Sequence, residues 1–130
     1  MSVLAKDRGK GKYDLQLKIK NLEERTIIFL NQNFNLYFKG FSILLPFVAN
    51  AYENARRIKP LEDGQLNNYF KETYDTLDKF ASQLDILYTV NKQYIENSEK
   101  RKKSFFNLLE FVSEIIYQIK DYAENHNIGL

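Results

Sequence analysis

The feature that most constrains this chain is a stripe of seven residues: Leu66, Phe70, Thr73, Leu77, Phe80, Leu84 and Leu87. Their spacing alternates four and three. An α-helix turns once in about 3.6 residues, so this spacing lines them up along one side of a helix. No β-strand period of two fits the same residues. The pattern predicts a single helix over about 65–95, roughly 45 Å long at 1.5 Å per residue.

The rest of the chain follows the same rule. Leu15, Ile19, Leu22, Thr26 and Phe29 mark a first helix over about 13–32. Phe41, Leu44, Leu45, Val48, Tyr52 and Ala55 mark a second over about 36–58. Phe105, Leu108, Val112, Ile115, Ile119 and Tyr122 mark a fourth over about 98–125. Gly and Pro are scarce, 5 and 2 in 130 residues, and most fall at proposed joints. "NQNFN", "KPLEDGQ" and "ENSEK" read as the turns. Ser98 is placed to cap the last helix, because its hydroxyl can accept from the first turn. Pro46 lies inside the second stripe, where it predicts a kink or a restart. The fold expected is all-α: an antiparallel up-down-up-down four-helix bundle, one domain over 1–130, with residues 1–12 as a flexible basic arm.

Composition narrows the chemistry. The chain has no Cys and one His, His126, near the end. Thiolate metal sites, disulfides and a thiol nucleophile are excluded, and a Ser-His-Asp site has almost no material. Bundle metal centres need Glu-x-x-His pairs from two helices, and none is present. Asp75, Asp78 and Asp85 have no visible ligand set. No cofactor and no enzymatic activity are expected. Asp85, in "FASQLDILY", is expected to be a structural acid paired with an N–H, a Tyr hydroxyl or a cation. The opening "MSVLAKDRGKGKYD" has no apolar core of a leader, and Asn31, Gln32, Asn33, Asn35 and Lys39 interrupt the greasiest window. A cytoplasmic protein without a membrane span is expected.

Net charge is +2 but uneven: residues 1–60 hold 11 Lys and Arg against 5 Asp and Glu, and residues 61–130 hold 8 against 12. Three basic clusters are candidate contacts for nucleic acid or a partner. The first is Lys6, Arg8, Lys10 and Lys12, separated by small residues that would let an arm follow a phosphate backbone; a solubilising tail is the alternative. The second is Arg56, Arg57 and Lys59, at a helix C-terminus where the dipole alone would favour cations. The third is Lys100, Arg101, Lys102 and Lys103 ("KRKK"), at a helix N-terminus where cations oppose the dipole, partly offset by Glu96 and Glu99. In an up-down bundle the first two clusters share one end and the third takes the other. A second apolar edge also stands out. Tyr69, Tyr74, Ala81, Tyr88 and Tyr94 lie on the third helix, and Phe106, Leu109, Ile116 and Ala123 on the fourth. It predicts either self-association or a wide aromatic core.

The opening "MSVLAKDRGKGKYD", the break "ARRIKP" and the stretch "SQLDILY" resemble a group of small bacterial four-helix bundle proteins. The group comprises the accessory variability determinant (Avd) proteins of diversity-generating retroelements and the bundle proteins encoded in intervening sequences of 23S ribosomal RNA genes. The chain departs from the group in "FNLY", where members have a Pro-Lys-Arg-Tyr-like step, and in "ARRIKP", where an "AN-x-IYP"-like break is common. The resemblance implies a ring-like homopentamer. It also implies a basic surface that binds the element's reverse transcriptase and its template RNA, supporting mutagenic cDNA synthesis. The alternative is a protein-interaction bundle, such as an adaptor, an immunity protein or an rRNA-insert protein, without a nucleic-acid role.

Overall fold

The computed structural model describes residues 2–31, 41–58, 67–127 and 129–130. They are mostly helical, with no strand among the described residues. The helices are α1 (Ser2–Phe29), α2 (Leu44–Arg57), α3 (Asn67–Val90), α4 (Lys92–Glu96) and α5 (Glu99–Asn125). A 3₁₀ turn, Phe41–Ile43, leads directly into α2. The expected elements over residues 32–40 and 59–66, including Leu66 and the "KPLEDGQ" turn, lie outside the described residues.

α1 starts at Ser2, not at Tyr13, so the segment expected as a flexible arm has helical backbone. Gly9 and Gly11 each cost about 1 kcal/mol relative to Ala in a helix. A helix already nucleated downstream can extend through them, because propagation is far cheaper than initiation. Pro46 is the third residue of α2, in the first turn, where its missing N–H has no intrahelical role. The 3₁₀ turn gives way to α-helix just before it.

The third predicted helix is interrupted. Asn91 (φ −114°, ψ 24°) separates α3 from α4. Its side-chain amide donates to the Leu87 carbonyl at 3.0 Å, competing with the regular helical pattern. The preceding Thr89 and Val90 are β-branched and weaken helix preference at the same point. Backbone bonds still cross the break, from the Asn91 N–H to Leu87 O and from the Ile95 N–H to Asn91 O, both 2.9 Å. α5 begins as expected: Ser98 is extended, and its Oγ accepts from the Arg101 N–H at 3.3 Å. Ser98→Ala should cost about 1 kcal/mol of stability in urea unfolding, with a midpoint unchanged within error arguing against the cap.

The core is the set of predicted stripes. Ile19, Leu22, Thr26 and Phe29 are buried, as are Phe41, Leu44, Val48 and Ala55, and Phe70, Thr73, Leu77, Phe80, Leu84 and Leu87. So are Phe105, Leu108, Val112, Ile115 and Ile119, while Leu15, Leu45, Tyr52 and Tyr122 pack against them half-buried. The seam threonines satisfy themselves. Thr26 donates to Leu22 O and Thr73 to Tyr69 O, each at 2.7 Å, so neither hydroxyl is stranded in the core.

α1 packs on α2 and α5, and α3 packs on the same two helices. Along α1 and α5, Phe29 meets Phe105 (6.1 Å between ring centroids), Arg25 lies 4.1 Å from the centre of the Phe111 ring, and Lys18 bonds Gln118. Between α1 and the second helix, Phe29 meets Phe41, Lys20 lies over Tyr52, and Gln16 donates to Ala55 O. Between α3 and α5, Tyr88 meets Phe105, Lys120 lies over Tyr74, and Phe70 meets Tyr122. In all three pairs, the residue number on one helix falls as the other rises.

The second apolar edge is mostly absorbed by this core. Ile116 and Ala123 are buried, and Tyr69, Tyr74, Ala81, Tyr88 and Leu109 pack half-buried against it. Tyr94 and Phe106 stay exposed. His126 is held at the end of α5. Its ring stacks on Tyr122 with centroids 4.1 Å apart, and its Nδ1 lies 2.9 Å from the Tyr122 carbonyl. Asn127 follows with φ 55°, a conformation Asn tolerates better than most residues.

Candidate nucleic-acid interface

The basic clusters fall at two ends of the bundle. Gln16 meets Ala55, so the C-terminal end of α2, with Arg56 and Arg57, lies beside the middle of α1. Lys6, Arg8, Lys10 and Lys12 lie on the helical backbone that precedes this contact; their side chains are outside the described set, as is Lys59. At the other end, Phe29 meets both Phe41 and Phe105, so the start of α5 sits with the end of α1 and the 3₁₀ turn. The third cluster is therefore apart from Arg56 and Arg57, the arrangement expected from the sequence.

The cations differ in how they are held. Arg56 pairs with Glu53, one turn earlier, at 3.1 Å; both are exposed, and such pairs contribute at most about 1 kcal/mol. Arg57, Lys100 and Lys103 are exposed and have no ion-pair or hydrogen-bond partner among the described residues. Arg101 is fixed: its Nε donates to the Tyr94 carbonyl at 2.9 Å, and its guanidinium lies 4.0 Å from the Tyr94 ring centre. That contact combines a charge-assisted hydrogen bond with a cation–π interaction.

The aromatic surroundings of this corner were not singled out as site residues by the sequence. Tyr88 packs on Phe105 and edge-on to Phe106, with centroids 5.6 and 5.4 Å apart. The Tyr88 hydroxyl donates to Glu96 Oε1 at 2.7 Å. That bond to a carboxylate is the main reason the phenol's pKa is raised above its ordinary value, with burial adding to it. Tyr94 meets Arg101 because the turn at Asn97 and Ser98 folds α4 back toward α5. The usable signal was an aromatic on each side of a basic run, separated from one of them by a capped turn.

Asp85 is not the paired structural acid expected. Its side chain is exposed, and among the described residues its carboxylate has no hydrogen-bond or ion-pair partner. Only its carbonyl is engaged, accepting from Thr89 Oγ1 at 3.0 Å. The reason is angular. Leu84 holds the seam, and one residue further on, about 100° around the helix, the side chain points outward.

Among the described residues no cluster of three or more His, Cys, Asp or Glu could hold a metal ion. Nor is any helix long and apolar enough to cross a membrane. No protein-family model, curated protein or solved structure matches the chain.

Proposed function

We propose that this chain is a non-enzymatic accessory protein, Avd-like in kind, that binds nucleic acid and a reverse transcriptase through cations at the two ends of an up-down-up-down four-helix bundle. The observation that carries the proposal is the state of Arg57, Lys100 and Lys103: exposed, with no acid holding them among the described residues. Cations at the start of α5 oppose the helix dipole at a cost of a few tenths of a kcal/mol, so local stability does not account for them. The opposed numbering of contacts along each helix pair supports the up-down order. The homopentameric ring rests on the resemblance alone.

The rival reading, a protein-interaction bundle without nucleic acid, rests on the modest net charge of +2 and on the surplus aromatic edge. Most of that edge packs into the chain's own core, which weakens its case.

The test is RNA and DNA binding by fluorescence anisotropy across a salt series. Affinity should fall linearly with log salt concentration, as counterion release requires. Replacing Arg56, Arg57 and Lys59 together by Ala should flatten that slope by roughly 2 for a single-stranded ligand. A wild-type protein with no affinity for RNA, DNA or the polymerase at low salt would sink the proposal. Light scattering gives the assembly mass, and a monomer at high concentration would remove the ring.

A further inference from the structure

The corner where α4 folds back onto α5 joins two features that differ in kind. One is charge: residues 92–106 hold five Lys and Arg against two carboxylates, Glu96 and Glu99. Glu96 is engaged by the Tyr88 hydroxyl, and Glu99 opens α5. The other is a set of accessible flat groups. Tyr94 and Phe106 are 36% and 39% exposed, which is high for large rings on a helix bundle. The Arg101 guanidinium lies 4.0 Å from the Tyr94 ring centre and is tethered to the Tyr94 carbonyl.

Position on α5 ties the charge to one of these rings. Lys102 and Lys103 precede Phe106 by four and three residues, which places all three on neighbouring positions of one helical face. Phe106 itself is held edge-on by Tyr88 and by Phe105, with centroids 5.4 and 5.6 Å away. The planes are thus fixed before any ligand arrives.

We propose that this corner is a docking site for an unpaired nucleic-acid strand. Bases stack on Phe106 and on the Tyr94–Arg101 pair, while Lys100, Lys102 and Lys103 take the phosphates. Charge complementarity selects a polyanion. The flat groups then select single strands over duplex, because only unstacked bases offer a face to an aromatic ring or a guanidinium plane. The inference rests on the nucleic-acid reading above, and assigns it a substrate class and a place.

The test compares a fluorescein-labelled 15-nucleotide oligo-U with an RNA duplex of equal length, using the whole chain. Wild type should favour the single strand. Arg101→Lys keeps the charge and removes the plane; it should weaken oligo-U binding by about five- to tenfold while leaving the salt slope unchanged. Lys100→Gln with Lys103→Gln, both exposed positions, should flatten the salt slope by about 1.4. Circular dichroism melts of the same variants establish that each is folded, and the exposed lysine pair keeps the test intact if Arg101→Lys is not. Equal affinity for duplex and single strand would overturn the inference. So would an unchanged oligo-U affinity in both variants while the Arg56, Arg57 and Lys59 replacement abolishes binding; that result would leave the broader proposal standing. Absence of any RNA binding by wild type would remove both.

Discussion

Phe105→Ala is expected to lower the melting temperature by roughly 10–20 °C, the counterpart of about 3–5 kcal/mol for truncating a buried Phe. Phe105 is fully buried, and its ring meets those of Phe29, Tyr88 and Phe106. These partners come from α1, α3 and α5, so one ring ties three helices at the same level. Truncation would leave a cavity that three separate backbones would have to close together, which they can do only in part. Urea unfolding provides the measurement. A loss under about 1 kcal/mol would show that the ring does not occupy a packed centre, and the order of helices around it would need revision. Phe105→Leu, which keeps most of the volume, should cost much less.

Leu84→Asp and Asp85→Ala make the second large contrast, at adjacent positions. Leu84 is fully buried in the seam of α3, and a carboxylate there would be desolvated with no cation on that stripe. An unpaired buried charge costs several kcal/mol, a large share of the roughly 5–15 kcal/mol that stabilises a typical domain. The variant should lose its cooperative thermal transition, with exposed apolar surface that binds a hydrophobic dye. Asp85→Ala should shift stability by no more than about 0.5 kcal/mol, because the side chain it removes is exposed and without a partner among the described residues. A cooperative melt in Leu84→Asp, or a large loss in Asp85→Ala, would mean the seam is turned by one residue.

The helical seams were legible because they are local. Phe70, Thr73, Leu77, Phe80, Leu84 and Leu87 repeat with the helix period, and all six are buried. The Ser98 cap was legible for the same reason, since it depends on four consecutive residues. The break at Asn91 was harder. Its stripe runs on to Ile95, which is buried, so periodicity gave no warning. The break comes from one Asn side chain reaching the carbonyl four residues back. At the candidate site the three basic clusters are visible as runs, but in the sequence Tyr94 and Phe106 read only as part of an apolar edge. Nothing in a linear pattern says that Tyr69, Tyr74 and Tyr88 are drawn against the core while Tyr94 and Phe106 remain outside.

By itself the sequence determined an all-helical chain, the faces its long helices bury, and the exclusion of thiol chemistry. Each of these follows from residue type and a repeat of 3.6, properties that hold before any two helices meet. The tertiary structure decided the rest. It placed Pro46 in the first turn of α2, drew most of the second apolar edge inside one chain, and left Asp85 in solvent. It also folded Tyr94 back beside Arg101. Those outcomes depend on contacts such as Phe29 with Phe105, between residues far apart in sequence, and no local period encodes which of two apolar edges a neighbouring helix will cover.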